Sequence, residues 1–272
     1  MLEPCPRNTT PVAAVAAQLV SDFGDGLALL LPSDHYIPDT QSFVDAIAQS
    51  APVAQDGSIV TLGITPTFPA TGFGYIRPGD EIGSKIRKVA EFCEKPDAEK
   101  AESYFTQKSH FWNAGIFLFS PERMLAELEE YAGDTLASTR SALKNAARTG
   151  DAIVLEEASF AKCDSISIDY SVMENTAYAA VFPGLSCGWN DVGSWDAVAN
   201  LTSSATADSL VEMDNTDCYF HTDGKINIAA VGLTGLVVVS YDGNLLIVPK
   251  ERAQDVSKLL KDIKSRGLTD FL

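Results

Sequence analysis

The run Leu27-Ala28-Leu29-Leu30-Leu31 ends abruptly in Pro32-Ser33-Asp34-His35, and no other junction restricts the fold as much. A short apolar run closed by polar, turn-forming residues reads as a strand buried on both faces, the kind found in parallel α/β sheets. Ligands bind such sheets just beyond the carboxyl ends of the strands. Asp34 therefore stands where a metal or phosphate site would be built. The competing reading is a plain turn, because Pro, Ser and Asp each favour turns.

Around this strand the apolar periodicity predicts alternating helices and strands. A helix over 10–23 carries Val12, Val15, Ala16, Leu19, Val20 and Phe23 inward, with Thr9 or Thr10 as cap and Pro11 in its first turn. Further helices are expected near 40–49 and over 97–108, with two or three more between 121 and 160. Strands are expected at 58–64, around Val89 to Cys93, at Ile116 to Phe119 and near 178–182. Past residue 205 short β-like runs at 226–231, 236–240 and 245–248 precede a terminal helix over 251–265, and no internal repeat is evident. This pattern predicts an α/β core over 1–204 and a small β-rich subdomain with a terminal helix over 205–272.

Composition bounds the function. The net charge of −17 argues against a nucleic-acid partner, whose phosphates would be repelled. A local lysine or Mg²⁺ can still reverse the field for a small phosphorylated ligand. The five cysteines are scattered and form no C-x-x-C pair, as expected of reduced thiols in the cytoplasm. No apolar stretch is long enough to span a bilayer, so no membrane partner is expected.

Several residue groups could carry chemistry. Asp34 and Asp191 each follow a predicted strand, a setting suited to oxygen ligation of Mg²⁺, although Asp191 could instead cap a helix starting near Val192 or Gly193. In Glu94-Lys95-Pro96, the proline is expected to hold Lys95 extended so that its ammonium meets a phosphate. The alternative there is a solvated charge pair. Gly72 and Gly74 would let a ligand approach the backbone, or form an ordinary turn. Asn113 offers an amide to sugar hydroxyls, or ends a turn. Arg7, Asn8 and Thr9 stand at the mouth of the first helix, where donors and the positive dipole end gather, although Arg7 could simply cover acidic surface. His35 lacks a His or Cys companion at zinc spacing, and His110 and His221 read as incidental.

The order of these motifs is more specific than any one of them. Glu3-Pro4-x-x-Arg7-Asn8-Thr9, Leu31-Pro32-Ser33-Asp34-His35, Thr71-Gly72-Phe73-Gly74-Tyr75-Ile76, Phe92-Cys93-Glu94-Lys95-Pro96, Trp112-Asn113-Ala114-Gly115-Ile116-Phe117, Ser167-Ile168-Asp169-Tyr170-Ser171-Val172-Met173-Glu174 and Trp189-Asn190-Asp191-Val192-Gly193-Ser194-Trp195 follow one another along nearly the whole chain. Together they closely resemble the mannose-1-phosphate guanylyltransferases, or GDP-mannose pyrophosphorylases. The resemblance implies a Rossmann-like nucleotidyltransferase mixed sheet that makes GDP-mannose and pyrophosphate from GTP and mannose 1-phosphate, and it leaves a homodimer open.

It also implies roles. Asp34 and Asp191 would hold Mg²⁺, and Lys95 would neutralise the sugar phosphate; these three would be the catalytic set and would converge on one cleft. Glu94, Asn113 and the backbone at Gly74 would hold mannose hydroxyls, with Asp169 near the sugar and Arg7, Asn8 and Thr9 on the nucleotide side. Such chemistry needs positioning and charge neutralisation, and no protein nucleophile. The family opens with a strand and a G-G-x-G-T-R-L-W-P-type loop that grips the triphosphate; the resemblance implies a core lacking that first strand unit. Asn175 and Ala70 replace a lysine and an acidic residue common among relatives, and the resemblance implies a member without the isomerase domain fused to some of them. Two other readings remain: a non-catalytic sugar-nucleotide-binding or regulatory subunit, and a nucleotidyltransferase for another hexose 1-phosphate.

Overall fold

A computed structural model describes residues 1–24, 26–202 and 209–271. The expected boundary at 204/205 lies outside the described residues. The chain divides into two compact units, residues 1–33 with 37–189, and residues 34–36 with 190–272. Among the described residues no helix is long and apolar enough to cross a membrane.

The first unit is a mixed sheet with helices against it. Its strands are β1 (Ala28–Leu30), β2 (Ile59–Ile64), β3 (Tyr75–Glu81), β4 (Arg87–Cys93), β5 (Phe111–Phe119) and β8 (Ala179–Leu185), in the order β1-β5-β2-β8-β4-β3. β2 pairs parallel with β8 and antiparallel with β5, whereas β4 pairs antiparallel with both β3 and β8. β2 is buried at every position, as expected of a central strand covered on both faces.

The strand that opened the sequence argument is shorter and differently placed than expected. β1 lies at the end of the sheet order, antiparallel to β5, and Leu29 and Leu31 are exposed. Apolar content alone does not distinguish a central strand from an edge strand, because strand order is set by pairing partners far away in sequence.

The helices of this unit are α1 (Thr9–Phe23), α2 (Thr40–Gln55), α3 (Ala98–Gln107), α4 (Pro121–Tyr131), α5 (Gly133–Lys144) and α6 (Glu157–Phe160). Asp39, Asp97 and Ser120 cap α2, α3 and α4 by accepting from backbone N–H groups one turn on. α1 buries Ala13, Ala14, Val15 and Ala17, and Phe23 is 86% exposed, contrary to the expected inward stripe. Small side chains bring α1 close to Met124, Leu128 and Leu136 of α4 and α5. The cap of α1 is Asn8, not Thr9 or Thr10. A hairpin of β6 (Ala147–Thr149) and β7 (Ala152–Val154) interrupts the region expected to be helical.

The second unit carries α7 (Trp195–Leu201), β9 (Leu210–Met213), β10 (Tyr219–Thr222), β11 (Ile228–Val231), β12 (Leu236–Tyr241), β13 (Asn244–Pro249) and, after a 3₁₀ turn, α8 (Val256–Ser265). Its parallel pairings share one offset: Leu210 meets Ile228, Thr216 meets Thr234 and Tyr219 meets Val237, each 18 residues on. A constant rung length is the mark of a parallel β-helix coil, and it buries Tyr219, Phe220, Val237, Val238 and Val239 in turn. The sequence reading missed this repeat and the strands β9 and β10, because two short rungs give too few recurrences to stand out.

Candidate active site

In the first unit, five expected residues meet around one asparagine. Asn113 projects from β5, and its backbone N–H donates to the Gly74 carbonyl at 2.8 Å. Its Oδ1 accepts from Thr61 Oγ1 at 2.8 Å and from the Gly115 N–H at 3.2 Å, while its Nδ2 donates to Asp169 Oδ1 at 2.8 Å. Asp169 opens a π-helical turn, Asp169–Met173, a local irregularity that often marks a functional position. That turn is tied to the start of α1: Thr9 Oγ1 accepts from the Ile168 N–H at 2.9 Å, and Thr10 Oγ1 lies 2.8 Å from Ser171 Oγ.

Glu94 lies against Gly74. A Cβ at Gly74 would overlap Oε2 of Glu94 and crowd Cβ of Asn113 at 3.3 Å, so a larger residue here would push the Glu94 carboxylate aside. Lys95 Nζ sits 3.2 Å from Glu94 Oε1, with the lysine side chain 57% exposed above a nearly buried carboxylate. The Glu94 N–H is held by Glu174 Oε1 at 2.9 Å. Lys95 was expected to be extended ahead of Pro96. It has φ +46°, in the left-handed region, while Glu174 holds the backbone just before it. Non-glycine residues hold that region only where surrounding structure compensates the strain, a feature common at functional sites.

Two carboxylates thus share the charge of one lysine. Burial pushes the Glu94 carboxyl above its usual range, reinforced by the charge of Asp169 and opposed by Lys95. Burial likewise raises Asp169, against hydrogen bonds from its own backbone, Ser167 and Asn113 and the charge of Lys95. Such perturbed groups gathered at one place are the usual signature of a binding or reaction centre.

The N-terminal trio serves the scaffold in this structure. Arg7 Nη2 donates to the Ala161 carbonyl at 2.5 Å, Asn8 Oδ1 accepts from the Thr9 N–H at 2.9 Å, and Thr9 supports the segment leading to Asp169. Arg7 Nε is buried without a hydrogen-bond partner.

The second unit brings Asp34 and Asp191 together although 157 residues separate them in sequence. Tyr36 and Asn190 form an antiparallel bridge, N–H to carbonyl at 2.8 and 3.0 Å in the two directions, which sets the two aspartates on paired segments. Burial lowers the His35 pKa, and the charges of both Asp34 and Asp191 oppose that shift, so the imidazole feels both carboxylates. Asp191 is not a helix cap: α7 begins at Trp195, and Ser194 Oγ accepts from the Ala197 N–H at 3.3 Å. Asn190 Oδ1 takes the Val192 N–H at 2.8 Å in a tight turn with Val192 at φ +50°. Gly193 leaves room for the Asp191 carboxylate, whose Oδ2 would lie 2.5 Å from a Cβ there. Among the described residues no group of three or more His, Cys, Asp or Glu gathers as a metal cage. Two carboxylates are the oxygen donors that Mg²⁺ takes together with several waters, and the pair alone falls short of the three or four protein ligands of a Zn²⁺ site.

The sequence reading missed Thr61 and Glu174. Both are polar residues whose partners, Asn113 and the Glu94 N–H, lie 52 and 80 positions away. A buried threonine in the all-apolar surroundings of β2 was the available signal for the first.

Comparison with known proteins places these features in a context. Residues 1–208 match the family model described as nucleotidyl transferase, and residues 208–263 match one described as a MannoseP isomerase/GMP-like beta-helix domain. The alginate biosynthesis protein AlgA of Pseudomonas aeruginosa is 37% identical over 278 residues, covering 99% of this chain and 57% of that protein. A mannose-1-phosphate guanylyltransferase of Escherichia coli is 36% identical over 280 residues, covering 100% of this chain and 59% of that protein. The chain thus spans a little over half the length of the curated relatives it matches. A solved structure titled mannose-1-phosphate geranyltransferase, from Thermus thermophilus, superposes with a TM-score of 0.82 at 29% identity, over 97% of this chain and 77% of that one.

Proposed function

The chain belongs to the nucleotidyl transferase family, and from that premise we propose that it transfers GMP from GTP to α-D-mannose 1-phosphate, releasing GDP-mannose and pyrophosphate. The observation that carries the reading is the set built on Asn113: one amide, two carboxylates with raised pKa and one lysine meeting over a glycine. Carboxylates and an amide are the groups that hold sugar hydroxyls, and an exposed ammonium beside them suits the phosphate at C1. Relatives that match almost the whole chain carry the names mannose-1-phosphate guanylyltransferase and alginate biosynthesis protein, which supports the same substrate.

In this reading the Asn113 amide and the Glu94 and Asp169 carboxylates orient the hexose. Lys95 offsets the charge of its phosphate as that oxygen approaches the α-phosphorus of GTP. Asp34 and Asp191 would hold Mg²⁺, which, when bound, neutralises the phosphates of the nucleotide. Arg7 would lie on the nucleotide side, with its Nη2 bonded to the Ala161 carbonyl and its Nε buried. The unpaired cysteines suit a reducing cytoplasm.

The direct test supplies GTP, mannose 1-phosphate and Mg²⁺ and measures GDP-mannose and pyrophosphate in equal amounts. Product formation is expected to fail when mannose 1-phosphate is replaced by glucose 1-phosphate. Binding of GDP-mannose with no turnover would favour the non-catalytic subunit, and no binding of either sugar compound would remove the reading.

A further inference from the structure

The Asn113 amide is held in a single orientation. A carbonyl oxygen has two lone pairs, and Oδ1 uses both, for the Thr61 hydroxyl and the Gly115 N–H. Of the two hydrogens on Nδ2, one goes to Asp169. Asn113 therefore has one N–H left and no acceptor, while Asp169 and Glu94 have carboxylate oxygens to spare. Turning the amide over would face Oδ1 toward the Asp169 carboxylate and Nδ2 toward the Gly115 N–H, so these two partners fix the orientation, while the Thr61 hydroxyl fills the second lone pair of Oδ1.

Thr61 stands behind this arrangement. It is fully buried in the middle of β2, between Phe117 of β5 and Val181 of β8 in register. Its hydroxyl bonds Asn113 across the two strands. A valine would fill the same space on this strand, so the hydroxyl is there for the bond it makes and not for volume.

We propose that Thr61 is a specificity-determining, positioning residue: by closing the remaining lone pair of Asn113 Oδ1 it braces the amide that Gly115 and Asp169 orient, so that the site selects the sugar phosphate through one hydroxyl that accepts from Asn113 Nδ2 while donating to a carboxylate. The proposal rests on the hexose 1-phosphate reading above. A hydroxyl satisfies both partners at once. A deoxy position leaves an N–H and a carboxylate unpaired, and a fluorine donates nothing.

The test compares the wild type with Thr61→Val and Thr61→Ser. Mannose 1-phosphate and each of its mono-deoxy analogues are titrated calorimetrically into the full chain, and the side-chain amide of Asn113 is followed by nitrogen-15 NMR. In the wild type, one deoxy analogue is expected to bind about 10- to 100-fold more weakly than the parent. In Thr61→Val the parent is expected to weaken about 10-fold, and the penalty at that one position to shrink, with the other positions unchanged. Thr61→Ser is expected to restore both values.

The NMR arm needs no ligand: the two Nδ2 protons are expected to be distinct and slow to exchange in the wild type and in Thr61→Ser, and to exchange faster in Thr61→Val. Wild-type discrimination that persists unchanged in Thr61→Val overturns the proposal. Sugar phosphates that fail to bind the wild type, with the amide still responding to Thr61→Val, overturn the functional reading and leave only the amide lock standing.

Discussion

Gly74→Ala isolates the packing at the centre of the site. Gly74 does not adopt positive φ, so alanine is acceptable to the backbone and the whole effect is steric. The new methyl overlaps Glu94 Oε2 and presses on Asn113 Cβ at 3.3 Å. Neither neighbour yields easily. Glu94 is 9% exposed, its N–H is bonded to Glu174 and its carboxylate to Lys95, while Asn113 has all its bonds to Thr61, Gly115 and Asp169 in place. Overpacking of such a spot costs about 1–3 kcal/mol. At about 2–4 °C per kcal/mol for a chain of this size class, the melting temperature should fall by roughly 2–12 °C. If the displaced carboxylate is also a sugar ligand, affinity for mannose 1-phosphate should fall at least about tenfold, the equivalent of one hydrogen bond to a charged group.

The assay is a two-by-two cycle of Gly74→Ala and Glu94→Ala, read by thermal melting and by calorimetric titration. Removing Glu94 vacates the space that the methyl needs, so Gly74→Ala should cost less than about 1 kcal/mol in the Glu94→Ala background. An equal melting loss in both backgrounds would refute the argument that Glu94 is the obstacle. A neutral Gly74→Ala in the wild type would refute the close packing itself.

Other perturbations separate the remaining claims. Because Glu94 titrates above its unfolded range, its ionisation costs stability as pH rises from the ordinary carboxylate range through the folded value; Glu94→Gln should therefore gain stability over the wild type above that window and lose the gain below it, as measured by urea melts across pH, while sugar-phosphate binding falls at every pH. Asp34→Asn and Asp191→Asn should each lower Mg²⁺-dependent turnover by about 10²-fold or more, with Mg²⁺ titration requiring higher concentrations and melting temperature nearly unchanged. Ser194→Ala should cost about 1 kcal/mol by removing the cap of α7, seen as a shift of the denaturation midpoint.

The places of agreement and disagreement have physical causes. Helix positions near 40 and 97 were legible from local pattern, whereas the cap of α1 fell one residue before the expected Thr9. Glu94, Lys95, Gly74, Asn113 and Asp169 were legible as an ordered set of motifs, and they do meet in one place. The conformation of Lys95 was not legible. The rule for residues before proline is a local preference, and the structure around Lys95 overrides it. The exposure of Phe23 and the position of β1 also went against local pattern, because burial depends on which distant element covers a residue.

By itself the amino-acid sequence determined the alternation of helices and strands, the acidic balance that disfavours nucleic acid, and the order of motifs that points to a sugar nucleotide. Those are properties of neighbours along a chain, and short-range chemistry suffices to read them. Tertiary structure alone decided that Thr61 would bond the Asn113 amide, that Glu174 would hold the Glu94 backbone, and that Tyr36 and Asn190 would pair the segments of two aspartates. Each of those contacts joins residues far apart in sequence, and only the register of strands and the path of the loops can bring them within a hydrogen bond.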